Sequence, residues 1–146
     1  MSALHNHLRE IEMRYLACTL VLLFLHGTAA LAADGDPAKG EQVFKTCTAC
    51  HAVGPNAKNK LGPELNGVVG RKWAASEGYR YSQDLLAGKE QGNSWDEDLL
   101  SKYIENPKSV APKGKMPFAG IKSEQQRRDL IAYLKQFDLQ GNRPHQ

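Results

Sequence analysis

The sequence lacks any uninterrupted apolar run of the about 20 residues that a comfortable membrane span needs. Its strongest hydrophobic stretch, residues 15–25, is too short. Charge of one sign is also scarce: 19 Lys and Arg stand against 16 Asp and Glu, a net of +3. That excess is too small and too scattered for a nucleic-acid binder, although it allows docking to an acidic partner. No alternating strand pattern, internal repeat or low-complexity tract occurs. Cysteine is confined to Cys18, Cys47 and Cys50, and histidine to five positions. At 146 residues the chain holds one domain at most.

The amino-terminal third reads as an export leader. Arg14 precedes the apolar run, and Gly27-Thr28-Ala29-Ala30-Leu31-Ala32-Ala33 follows it. A positive end, a hydrophobic stretch and a small-residue site come in secretory order, with Ala30-Leu31-Ala32 fitting A-x-A. The expected division is therefore a cleaved signal over 1–32 and a single domain over 33–146. Glu10 and Glu12 suit a signal poorly, whereas Met13-Arg14 would open one conventionally. Translation is expected to start at Met13. An uncleaved anchor is the rival reading. Export implies a periplasmic protein, and cleavage removes Cys18, leaving two cysteines.

Those two stand in Cys47-Thr48-Ala49-Cys50-His51. A C-x-x-C pair can be a redox dithiol, two zinc ligands or a disulfide. Zinc usually wants four side chains, and only His145 and the leader residues Cys18, His5, His7 and His26 could complete the set. A thioredoxin-like dithiol needs strands. Histidine directly after the second cysteine is the attachment pattern of a c-type haem. Each thiol adds across one vinyl group to give a thioether, and the histidine can reach the iron. A second axial ligand is then wanted. Outside the leader, only Met116 and His145 remain. His145 is second from the end, where chains fray, and Met116 lies in a loop rich in proline and glycine. Met116 is the choice. A neutral thioether favours ferrous iron and raises the potential; with both axial sites filled, the suited task is outer-sphere electron transfer.

Local signals give a few helices joined by long loops. Asp36-Pro37 is an N-cap followed by proline at the first helical position. Gly40, Val43, Phe44 and Cys47 then share one helical face that delivers the cysteine motif. Gly40 inside that helix suggests the close approach of another helix. Residues 52–80 are broken by glycine and proline and read as a loop wrapping a ligand. A short helix is expected over 83–87. Ser94 and Glu97 form a capping box for a helix ending near Asn106, before Pro107. Residues 107–121 read as a second loop. Ser123 and Gln126 cap a last helix whose buried face is Leu130, Ile131, Leu134 and Phe137, with Tyr133 at its edge.

The ordered set Cys47-Thr48-Ala49-Cys50-His51, Gly62-Pro63-Glu64-Leu65-Asn66-Gly67, Gly70-Arg71-Lys72, Lys115-Met116-Pro117-Phe118-Ala119-Gly120 and Asp129-Leu130-Ile131-Ala132-Tyr133-Leu134 resembles the class I c-type cytochromes. The resemblance is greatest to the mitochondrial cytochrome c and bacterial c2-type group, and spans 37–138. It implies an all-α fold around one covalent haem c held by Cys47 and Cys50, with His51 and Met116 on the iron. By the same resemblance Pro63 accepts a hydrogen bond from His51, and Arg71, Tyr81 and Trp95 surround the haem propionates. Tyr103 hydrogen-bonds near the ligand Met116, Phe118 shields the haem edge, and Gly40 and Phe44 pack on Leu130 and Tyr133. Two departures stand out: an insertion around residues 87–93, and Gly114 in place of a propionate-binding threonine.

The implied function is one-electron shuttling by a monomer, without nucleic acid. Its partners would be membrane redox complexes, such as a quinol–cytochrome c reductase and a terminal oxidase or photosynthetic reaction centre. Lys45, Lys60, Lys108, Lys113 and Lys115 could ring the haem edge and steer acidic partners. A haem enzyme or gas sensor, with Met116 off the iron, and a membrane-tethered subunit are the other function classes.

Overall fold

The computed structural model describes residues 34–143; the expected leader and His145 lie outside the described residues. Five helices follow in order: α1 Pro37–Phe44, α2 Gln83–Glu90, α3 Glu97–Glu105, α4 Pro107–Val110 and α5 Glu124–Leu134. Among the described residues the only extended pairing is an isolated antiparallel bridge between Lys72 and Ser94. The all-α expectation holds.

α1 begins where Asp36 accepts hydrogen bonds from the Ala38 and Lys39 amides, with Pro37 next. Its buried face is Gly40 and Phe44, and it packs on α5. The contact is very close. A Cβ on Gly40 would lie 1.9 Å from the Asp129 carbonyl oxygen and 2.7 Å from the Tyr133 Cβ. One turn on, Phe44 and Tyr133 meet with ring centroids 5.4 Å apart. Buried Asp129 accepts from the Asp36 amide at 2.8 Å and thereby ties the start of α1 to α5. The close approach expected from Gly40 is thus present, and α1 ends directly before the cysteine motif.

Four local expectations need correction. α2 runs to Glu90 rather than ending at residue 87. α3 is capped by Asp96, whose side chain accepts from the Leu99 amide, and not by Ser94. The reason is competition for backbone: Ser94 is bridged to Lys72, while the Trp95 amide donates to the Arg71 carbonyl and the Gly70 amide to the Trp95 carbonyl. The helix therefore starts two residues later. Pro107 does end α3, but it also opens α4, with Asn106 accepting from the Lys108 amide. Tyr133 is buried rather than at an edge (5% exposed), because Phe137 meets it edge-on and Arg143 covers both rings.

In an exposed helix, Gly→Ala gains up to about 1 kcal/mol. At Gly40 the added methyl would collide with backbone, so Gly40→Ala is expected to lose about 1–3 kcal/mol instead. Thermal unfolding of the haem-loaded protein checks this; an unchanged or raised Tm would contradict the contact.

Candidate functional site

One cavity of about 430 Å³ gathers the sequence-selected residues. Cys47, Cys50, His51, Pro63, Arg71, Tyr81, Trp95, Tyr103, Met116 and Phe118 all line it. Its volume lies in the range of small-molecule and cofactor sites, roughly 300–1,000 Å³.

The end of α1 supplies the first three. After Phe44 the chain continues in tight turns: the Cys47 amide donates to the Phe44 carbonyl, and the Cys50 and His51 amides to the Cys47 carbonyl. Both thiols of this turn are half-buried. Burial pushes the Cys47 thiol up, with only partial relief from the neighbouring Thr46 hydroxyl.

The loop after the motif orients the imidazole. His51 Nδ1 lies 2.7 Å from the Pro63 carbonyl oxygen, which can only accept, so Nδ1 carries the proton and donates. Nε2 then keeps its lone pair for a metal. The ring packs against Gly62, where a Cβ would come within 2.3 Å of Cε1. Glycine is therefore required there by contact. Burial, first, and nearby Lys60 hold His51 below its ordinary basicity, against the opposing pull of the Pro63 hydrogen bond. Both effects suit a neutral ligand imidazole.

Two loops and α3 supply the remaining wall. Trp95 stacks on Trp73 at 4.7 Å and leans on Tyr103 at 4.8 Å. Burial pushes the Tyr103 phenol up to about 12, and its hydroxyl makes no hydrogen bond within the described residues. Tyr81 accepts from the Ser76 amide at 3.1 Å; burial also raises its phenol, against this hydrogen bond. Tyr79 lines the cavity too, and its hydroxyl donates to the Leu61 carbonyl at 2.8 Å. Arg71 faces the cavity while donating to Glu64 and Asn66.

The donor set fits a haem. Two thiols, an imidazole and a thioether line one cavity whose other walls include Leu65, Val68, Leu85 and Leu100. A polar sector is formed by Arg71, Tyr81 and Ser82, and the Ser82 hydroxyl is buried without a partner. An orphaned buried hydroxyl is costly unless a ligand satisfies it. Sequence reasoning missed Ser82, as it missed Trp73, whose ring sits where Gly88 leaves room for it. Neither carries a motif; an N-cap serine ahead of α2 was the only available signal.

The lysines divide. Lys115 lines the cavity; Lys45, Lys60, Lys108 and Lys113 are exposed but do not. The Lys60 and Lys108 ammonium groups are held by the Thr48 and Gly114 carbonyls at 2.7 and 2.5 Å.

Comparison with known proteins agrees with this geometry. The family model for cytochrome c matches residues 37–138. The chain belongs to the cytochrome c family. It is 49% identical over 122 residues to a cytochrome c2 of Blastochloris viridis, covering 84% of this chain and 94% of that one. A cytochrome c-550 of Ancylobacter novellus is 50% identical over 107 residues, 73% of this chain and all of the relative. The solved cytochrome c2 of Rhodospirillum centenum superposes with a TM-score of 0.67 at 41% identity, covering 71% of this chain and 99% of that one. The chain is thus a class I c-type cytochrome of the c2 type, an electron carrier and not an enzyme. Like its family it carries one covalently attached haem c, and Cys47 and Cys50 stand in the attachment pattern.

Tyr103 gives this site a pH signature. Below about pH 10 the phenol is protonated whether the chain is folded or not, so it leaves stability unchanged. From there to about 12, its folded value, the unfolded chain loses the proton while the folded one keeps it. Stability must then fall as pH rises. Tyr103→Phe is expected to lose less stability than the parent across that window in denaturant titrations; parallel losses would refute the assignment.

Proposed function

We propose that the protein is a periplasmic one-electron carrier with His51 and Met116 as the axial ligands of its haem. It would shuttle between membrane redox complexes, such as a quinol–cytochrome c reductase and a terminal oxidase or a photosynthetic reaction centre. In this reading residues 1–32 are removed as a signal and 33–146 form the working monomer. Among the described residues no helix is long and apolar enough to cross a membrane.

The observation that carries the ligation is the locked tautomer of His51 in a cavity that Met116 also lines. When bound, haem supplies a single-electron ferric/ferrous couple. The chain's own residues do the rest. Pro63 fixes the imidazole and strengthens it as a donor. Met116 offers a soft, neutral sulfur that favours the ferrous state. Pro117 and Phe118 line the cavity next to Met116. Arg71, Tyr81, Trp95 and Ser82 offer donors to the haem carboxylates. With His51 and Met116 both holding the iron, small oxidants and gases would find no open site.

Met116→Ala is expected to abolish the near-infrared sulfur-to-iron charge-transfer band of the oxidised protein and to lower its reduction potential. A parent protein without that band at neutral pH would sink the ligation.

Exposed Lys45, Lys60, Lys108, Lys113 and Lys115 support docking to acidic partners. Electrostatic steering weakens with salt. The bimolecular rate with a membrane oxidase should therefore fall steeply with ionic strength and fall less for a Lys113→Gln/Lys115→Gln variant. A flat salt dependence would remove the lysines from the docking surface.

A further inference from the structure

The cavity wall is lopsided in charge. Arg71, Lys72, Arg80 and Lys115 line it, and no carboxylate does among the described residues. Cations around a redox centre favour its reduced, less positive state. Arg71 is the most deeply placed of the four; the others are exposed, where water and salt screen them. Directly behind it, Glu64 Oε1 lies 2.5 Å from Arg71 Nη1, in an ion pair whose side chains are only 12% and 17% exposed.

We propose that Glu64 is a positioning residue of charge: it neutralises Arg71 at the haem wall and so holds the carrier's reduction potential down. This rests on the proposed haem site of His51 and Met116. The geometry separates charge from shape. Arg71 also donates to the Asn66 carbonyl and the Glu64 carbonyl, each at 2.8 Å. Two backbone oxygens thus fix the guanidinium without any carboxylate. Of its five N–H groups, two remain for the cavity side. The second carboxylate oxygen of Glu64 accepts the Asn66 amide at 2.8 Å, a bond that serves the loop rather than Arg71. What the carboxylate alone adds to Arg71 is a negative charge, in a place too buried for ready screening.

A glutamine at position 64 keeps an acceptor oxygen in the same place and deletes the charge. The test is redox potentiometry of the haem-loaded parent, Glu64→Gln and Glu64→Asp, with visible and near-infrared spectra of each. Glu64→Gln is expected to shift the reduction equilibrium toward the ferrous form by about three- to tenfold, the order expected of one poorly screened charge. Glu64→Asp should stay within about twofold of the parent. The double variant Glu64→Gln/Arg71→Gln should lie below Glu64→Gln in potential and, where Glu64→Gln fails to incorporate haem, above Arg71→Gln, from which it differs only in the Glu64 charge. An unshifted Glu64→Gln, equal shifts in Glu64→Gln and Glu64→Asp, or a further rise in the double variant would overturn the proposal. Absence of the sulfur-to-iron band from the parent would instead overturn the ligation, leaving the charge effect to be judged on the potentials alone.

Discussion

The crossing of α1 over α5 is the constraint from which the rest of the site follows. Its closeness depends on a missing side chain: at Gly40 the backbone of α1 sits where any Cβ would strike the Asp129 carbonyl. Dispersion and apolar burial need such proximity to be effective. Here they involve Phe44, Leu130, Tyr133 and Leu134, all no more than 5% exposed. The crossing joins residues about ninety positions apart, and the Asp36–Asp129 hydrogen bond pins its end. Because α1 stops at Phe44, the cysteine motif emerges at a fixed point and angle. Everything the two cysteines and His51 can reach is decided by that anchoring.

From this anchor the loops become intelligible. A chain segment without helix or strand must still place its backbone polar groups. Residues 52–80 do so through side chains as much as through each other. Asn66 bonds both the amide and the carbonyl of Gly54, and Asn59 accepts from the Glu64 amide and from the Ser76 hydroxyl. Arg71 holds two further carbonyls of the same loop. These cross-links keep Pro63 at hydrogen-bonding distance from His51. Asn59, Asn66, Arg71 and Ser76 are thus not a solvated surface; they replace the secondary structure that the glycines and prolines exclude.

The fold was legible where one residue type has one physical job. A glycine inside a helix implied contact, Asp36-Pro37 implied a start, and thiols three apart before a histidine implied an attachment site. Each inference needed only neighbours in sequence. The misreadings arose where two jobs compete. Ser94 satisfies the capping rule as well as Asp96 does, but its backbone was claimed by the bridge to Lys72, a partner more than twenty positions away. Pro107 was read as a terminator, which it is, while the same Asx-Pro signature that starts α1 also starts α4. Tyr133 looked marginal on its helix because the residue that covers it, Arg143, follows the helix altogether. Trp73 and Ser82 had no pattern at all. Their positions depend on packing between loops, which no local period encodes.

The same distinction explains why the covalent motif was the easy part of the site and the electrostatics the hard part. Thioether attachment asks only for two sulfurs at a set spacing, and spacing is written in the chain. The electrical character of the cavity depends instead on which charges face it and which are cancelled from behind. By composition the chain is mildly basic, and four cations do line the wall. Yet the deepest of them is matched by a carboxylate seven residues earlier, in a motif otherwise notable for its glycine and proline. Placed on the far side of Arg71 rather than in the cavity, Glu64 offsets charge without leaving a carboxylate to be desolvated against a haem propionate, where like charges would raise the energy of both. A carrier that must be reduced by one partner and oxidised by another needs a potential between theirs. Cancelling one buried cation from behind moves that potential while leaving the ligands, the cavity shape and the docking rim as they are.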